Sequence, residues 1–321
     1  MSASSACDQY RPRTRSRHRL LAALLLAVTV AGTAVVMAPA GAVTPTQSSS
    51  KLQVVAAENF WGSIAKQLAG NKATVTSIIT NPDTDPHDYE AKPSDGRTIA
   101  SAKYVIENGI GYDAWAQKLI DANPDSGRKV LNVGKLVGIS DGGNPHQWYN
   151  PETVQQVIDR ITSDLSSLDP KNADYYDAQK TKYESTGLGQ YNDLIVGIKA
   201  KYSGTPVGAT ESIFAPLSKA LGLDLVTPEA FLDAVAEGTE PTAKDKSTVD
   251  EQIAEGTIKV LVYNSQNATP DVKALVQAAK AKKIPVTTVT ETLSPAGLTF
   301  QAWQSKQLAA LQAALAKGTG S

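Results

Sequence analysis

Short runs of β-branched and aliphatic residues alternate with helical stretches in two blocks of this chain, and about 50 residues without a strand signal separate the blocks. In the first block Leu52–Ala57, Ala73–Ile79, Tyr104–Ile106 and Val130–Val133 read as buried strands, with helices expected over 60–68, over 94–101 and around Trp115. In the second, Pro206–Thr210, Leu223–Val226, Ile258–Tyr263 and Val286–Val289 read as strands. Helices are expected there over 213–221 and 272–282, and at the C-terminus, where Phe300, Trp303, Leu308, Leu311 and Leu315 share one side. Glu229–Ser247, rich in Glu, Thr, Lys and Asp, reads as a solvated loop or loose helix. Alternation of this kind predicts parallel sheets covered on both faces. The expected fold is therefore α/β with two lobes, over 52–165 and 204–321. A long helical spine over 166–203 joins them, kinked or split at Gly187-Leu188-Gly189, where each glycine costs about 1 kcal/mol relative to alanine.

The first 42 residues stand apart. Arg11, Arg13, Arg15, Arg17 and Arg19 form a basic stretch, Leu20–Met37 is uncharged and mostly apolar, and cleavage sites of the A-x-A type follow after Ala40 and Ala42. A secretory signal is expected over 1–42, with an uncleaved membrane anchor as the alternative, and a flexible Ser/Thr-rich tether over 43–51. The lone cysteine, Cys7, precedes the apolar run, so no lipid-attachment cysteine stands after it. The expected location is extracytoplasmic, cell-surface associated or secreted. Without the leader, 26 basic residues face 31 acidic ones. An exported, mildly acidic chain with no basic block is a poor match for nucleic acid and a better one for a cation. It also has no disulfide to lean on, so a sizeable core must hold it together.

Beyond His18 in the leader, the chain has two histidines, and each follows a proline and precedes an aromatic residue by two positions. They lie in Asp85-Pro86-His87-Asp88-Tyr89-Glu90 and Asn144-Pro145-His146-Gln147-Trp148-Tyr149-Asn150-Pro151. Neutral imidazole is the commonest transition-metal ligand, and proline limits how the backbone presents it. The other reading of each is a solvated loop histidine. Open α/β sheets bind ligands beyond the carboxyl ends of their strands, where both histidines are placed. Two carboxylates occupy comparable positions in the second block: Glu211 after the strand at 206–210, and Glu291 after the one at 286–289. Taken singly, either acid reads equally as a solvated or capping residue. Together the four make a mixed N/O set suited to Mn²⁺, Fe²⁺ or Zn²⁺. Asp85, Asn144 and Asn150 are candidate partners for the imidazoles, and Trp148 and Tyr89 candidate walls.

Both Pro-His motifs, the helical spine and Ala209-Thr210-Glu211-Ser212-Ile213-Phe214-Ala215-Pro216 resemble the zinc/manganese solute-binding proteins of bacterial ABC importers, over nearly all of the chain from Leu52. The resemblance implies a metal site in the cleft between the lobes, with His87 and His146 as the first two ligands. It places Glu211 where many members have histidine, and Glu291 where an aspartate is usual. Glutamate at the third position occurs in members regarded as manganese binders, and the His-rich loop of many zinc-specific members is lacking. The implied function is capture of one divalent ion, Zn²⁺ or Mn²⁺, by a monomer that delivers it to an ABC permease, without enzymatic activity. An exported metal-dependent hydrolase and a surface adhesin are the rival readings. No H-E-x-x-H or G-x-S-x-G motif supports the first, and no repeat array supports the second.

Overall fold

A computed structural model describes residues 51–82, 84, 86–87 and 89–321. The expected signal and nearly all of the tether lie outside the described residues. In the first half, β1 (Leu52–Glu58), α1 (Asn59–Ala69), β2 (Ala73–Ile79), α2 (Pro93–Ser101), β3 (Tyr104–Glu107), α3 (Ala114–Ala122), β4 (Lys129–Asn132) and α4 (Val133–Val137) alternate as the apolar periods require. The four strands pair in parallel in the order β2-β1-β3-β4. Val54, Val55, Ala56, Ala57 and Tyr104–Ile106 are almost wholly buried, as strands covered on both faces must be. α1 lies close over the sheet because it carries Gly62: a Cβ there would collide with the Ser77 side chain of β2.

A helical middle follows: α5 (Pro151–Leu168), α6 (Ala173–Lys182) and α7 (Gly189–Tyr202). Pro151 opens α5, and Asn150 caps it by accepting from the Glu152 backbone N–H at 3.0 Å. The spine is not a single regular helix. Tyr183–Gly187 winds as a π-helical turn between α6 and α7, with Leu188 N–H bonded to Tyr183 C=O at 2.8 Å. The glycines that the sequence marks as an interruption fall at this turn, and Tyr183, Leu188 and Tyr191 are buried beneath it.

The second half contains β5 (Pro206–Ala209), α8 (Ala215–Leu221), β6 (Asp224–Leu225), α9 (Glu229–Ala236), α10 (Ala243–Glu255), β7 (Leu261–Asn264), α11 (Pro270–Ala281), β8 (Val286–Val289) and α12 (Phe300–Thr319). Its strands are also parallel, in the order β6-β5-β7-β8, the same arrangement as the first sheet. Of the two readings of 229–247, loop or helix, the helical one holds: α9 and the start of α10 lie there, Thr242 Oγ1 accepts from Asp245 N–H at 3.2 Å, and α10 buries Val249 and Ile253. One expectation needs correction. β7 begins at Leu261, although Lys259 N–H and Val260 C=O already bond to Pro206 C=O and Gly208 N–H.

The two sheets do not enclose separate cores. One cluster of buried side chains runs from Val54, Phe60 and Tyr104 through Trp148, Val157 and Ile161 to Val207, Val262, Trp303 and Leu308. α12 crosses to the first half: Phe300 N–H bonds to Ser63 Oγ at 2.9 Å, and Gln301 and Gln67 exchange amide hydrogen bonds. The described residues fall within one compact unit. No helix of the described residues is long and apolar enough to cross a membrane.

Candidate metal centre

All strands of each sheet run parallel, so their carboxyl ends share one edge, and ligands bind beyond that edge where the order of strands reverses. The loop after β2 carries His87, the loop before α5 carries His146, Glu211 follows β5 and Glu291 follows β8. One ligand atom each from His87, His146 and Glu291 lies within 4.8 Å of the others. Glu211 joins them: its Oε1 is 3.9 Å from His146 Nε2, and Glu291 Oε2 is 3.5 Å from the same nitrogen. These separations are long for hydrogen bonds. They suit atoms facing a shared ion, since ligands about 2.1 Å from a tetrahedral metal lie about 3.4 Å apart. All four expected residues are thus brought together. His146, Glu211 and Glu291 are buried, whereas His87 is exposed at the mouth.

His87, Glu211 and Glu291 line a cavity of about 40 Å³ with Pro82, Thr84, Gln266 and Asn267. That volume admits an ion and little water, far short of the roughly 300 Å³ an organic substrate needs.

Each buried candidate ligand is oriented by neighbours. Asn144 Oδ1 accepts from the His146 backbone N–H at 3.0 Å and faces its Nδ1 at 2.9 Å, while Asn144 Nδ2 donates to Ser212 C=O at 2.7 Å. The amide is therefore fixed with its oxygen toward the ring. That assigns the proton to Nδ1 and turns the Nε2 lone pair to the carboxylates. Trp148 and Tyr112 back the ring, at centroid distances of 5.2 and 6.1 Å. On the carboxylate side Asn264 Nδ2 donates to Glu291 Oε1 at 2.8 Å and to Glu211 Oε1 and Oε2 at 3.2 and 3.1 Å. Tyr112 Oη donates to Glu291 Oε2 at 3.0 Å, and Asn267 Nδ2 to Glu211 Oε2 at 3.1 Å. Burial first, and then the charge of Glu291, push the Glu211 carboxyl up to about 8.

Of the expected neighbours, Asn144 and Trp148 stand at the site. Asn150 serves as a helix cap instead, and Tyr89 turns to Trp115 and donates to Asp95 at 2.8 Å. Asp85 lies outside the described residues. Sequence reasoning missed Asn264, Asn267 and Tyr112. Their one shared signal is position, in the first residues at or after the ends of β3 and β7.

A second buried group of acids lies at the carboxyl ends of β1 and β3. Glu58, Glu107 and Asp113 are all nearly inaccessible. The Asp113 carboxylate accepts from Asn108 and Gly109 N–H at 2.6 and 2.7 Å, closing a loop in which Gly109, Ile110 and Gly111 all have positive φ. For isoleucine that conformation is strained, and the closure holds it. Asn108 links the loop to the site, its Nδ2 donating to Pro145 C=O at 2.9 Å and its Oδ1 accepting from Trp61 at 3.0 Å. The charge of Asp113 adds to burial in favouring the protonated form of Glu58. Burial raises Glu58 well above the usual carboxylate range, Asp113 to about 6 and Glu107 to about 7.

This acid group sets a pH dependence. The folded protein holds protons that an unfolded chain releases near pH 4, so their stabilising share is complete below about pH 4 and lost as pH rises through about 7. For Glu107 alone, raised from 4.5 to about 7, the change amounts to about 3 to 4 kcal/mol at about 1.4 kcal/mol per pKa unit. Denaturant midpoints of the metal-free protein are expected to fall between about pH 5 and 8, and Glu107→Gln to lessen the fall. A midpoint that climbs over that range would contradict the assignment.

The family model described as "Zinc-uptake complex component A periplasmic" matches residues 54–314. The manganese ABC transporter substrate-binding lipoprotein PsaA of Streptococcus pneumoniae is 28% identical over 238 residues, covering 68% of this chain and 74% of its own. The metal ABC transporter substrate-binding lipoprotein FimA of Streptococcus parasanguinis is 27% identical over 257 residues, with 74% and 79% covered. Among solved structures, a Mn-bound mutant of the periplasmic metal binding protein from Candidatus Liberibacter asiaticus superposes with a TM-score of 0.70 at 20% identity, covering 83% of this chain and 100% of that one. A mutant of the laminin-binding adhesin Lmb from Streptococcus agalactiae gives 0.67 at 19% identity, with 82% and 99% covered. At these identities the two structures establish the fold alone.

Proposed function

We infer that this chain, which belongs to the family of periplasmic zinc-uptake component A proteins, is the metal-capturing subunit of an ABC importer. It takes up one divalent transition-metal ion of the Zn²⁺ or Mn²⁺ type outside the cytoplasm and delivers it to a membrane permease. His87, His146, Glu211 and Glu291 hold the ion. The observation that carries this reading is the convergence of three ligand atoms within 4.8 Å, with Glu211 3.9 Å from the central imidazole, in a cavity too small for an organic substrate.

Four protein ligands fill a tetrahedral shell, which suits a carrier; a hydrolase keeps a coordination position open for water. The family is one of transport components, which favours cargo over catalysis. The adhesin reading rests on the likeness to Lmb, and that likeness extends only to fold. Export to the extracytoplasmic space, with the chain acting as a monomer, completes the proposal: relatives such as PsaA are named as substrate-binding lipoproteins of ABC transporters.

Metal-stripped protein titrated with Zn²⁺ and with Mn²⁺, followed by calorimetry and native mass spectrometry, is expected to bind one ion per chain. Failure to bind either ion, or binding of several weakly held ions without saturation at one, would remove the proposal.

A further inference from the structure

Not all four carboxylate oxygens of the site are turned toward the ion position. Glu291 Oε2 and Glu211 Oε1 approach His146 Nε2, at 3.5 and 3.9 Å. The opposite oxygens are held by amides: Glu291 Oε1 by Asn264 Nδ2 at 2.8 Å, and Glu211 Oε2 by Asn267 Nδ2 at 3.1 Å, while Asn264 Nδ2 spans both Glu211 oxygens at 3.2 and 3.1 Å and Tyr112 Oη donates to Glu291 Oε2 at 3.0 Å. Asn264 is wholly buried at the end of β7, and its own Oδ1 accepts from Gln266 N–H at 3.0 Å. That bond fixes the amide with its two hydrogens toward the glutamates. Asn267 is held likewise, since its Nδ2 also donates to Val235 C=O at 3.1 Å.

We propose that Asn264, with Asn267 as its lesser partner, is a positioning residue that sets metal preference by confining each glutamate to one ligating oxygen. The inference rests on the site proposed above. With one oxygen from each carboxylate and one nitrogen from each imidazole, the ion meets four donors, the number Zn²⁺ prefers. Mn²⁺ favours more oxygen donors, which this site supplies only if a carboxylate turns to offer both oxygens. That turn breaks the Asn264 bond for Glu291 and the Asn267 bond for Glu211, and in a buried place a lost charge-assisted hydrogen bond is costly. Asn264 thus disfavours the wider shell without touching the ion.

The test is competition between Zn²⁺ and Mn²⁺ on the full chain, comparing wild type, Asn264→Ala and Asn267→Ala, with His146→Ala as the control for the site. Second-neighbour changes of this kind alter metal affinity by about 10- to 100-fold. The Zn²⁺:Mn²⁺ affinity ratio is expected to move toward Mn²⁺ by at least about tenfold in Asn264→Ala, and in the same direction by less in Asn267→Ala. X-ray absorption of the Zn²⁺ form should show four N/O neighbours in the wild type and more in Asn264→Ala. A loosened fold alone would weaken both metals together and leave the ratio where it was. Should Asn264→Ala fail to fold, the partly exposed Asn267 decides the matter. A ratio unchanged within about twofold, or moved toward Zn²⁺, overturns the role of the amides while the site stands. Wild-type affinity retained in His146→Ala overturns the site itself.

Discussion

His146→Ala is expected to weaken metal binding by at least about a hundredfold while the chain stays folded. Four-ligand protein sites bind Zn²⁺ with roughly 10 to 16 kcal/mol, so one ligand of four accounts for about 3 kcal/mol or two orders of magnitude. His146 is the ligand to remove because its Nε2 faces both glutamates and its ring is fixed by Asn144. Wild-type protein at a hundredfold excess of ion over its dissociation constant should gain about 2.7 kcal/mol of stability. In the variant that gain should vanish. Circular dichroism confirms the fold, and an unchanged metal-dependent shift in melting temperature would refute the assignment.

Trp148→Ala is expected to cost about 3 to 5 kcal/mol, the largest stability loss predicted for a single site. The indole is wholly buried, stacks on Phe60 with centroids 4.1 Å apart, and touches Tyr112 and Tyr149 at 5.0 and 6.2 Å. Removing it opens a void where side chains of both halves meet, on a backbone that α5 and its cap hold in place. For a unit of this size the melting temperature should drop by about 10 °C. Trp148→Phe should cost far less. The indole N–H has no hydrogen-bond partner among the described residues, so phenylalanine gives up area but no polar contact. Because the same ring backs His146, Trp148→Ala should also lower metal affinity. Equal melting points for wild type and Trp148→Ala would show that the void closes without cost.

The parallel α/β architecture was legible because strands buried on both faces leave continuous apolar runs, as at Leu52–Ala57 and Val286–Val289. His87 and His146 were legible because histidine is scarce here and both follow proline. Glu211 and Glu291 stood out only through a family resemblance, since an acid after a strand is ordinary. α9 and α10 were hidden by their composition: α10 buries little besides Val249 and Ile253, too sparse a stripe to show a period. Asn264 was not legible at all. Its partners Glu211 and Glu291 lie 53 and 27 residues away, and no local pattern records contacts that only the assembled cleft creates. The same holds for Glu58 and Asp113, whose burial is a property of the closed loop over them.

The core that both halves share has a consequence for how cargo leaves. Prising the two sheets apart would tear open a seam built on Trp148, Tyr149, Trp303 and Phe300 and would strip α12 from the first half. A hinge of that kind is too stiff to serve as an everyday gate. Of the four candidate ligands only His87 is exposed; the other three are buried. If the four residues hold the ion as proposed, release would start at His87, the one of them in reach of solvent, while the other three stay fixed in the packed interior.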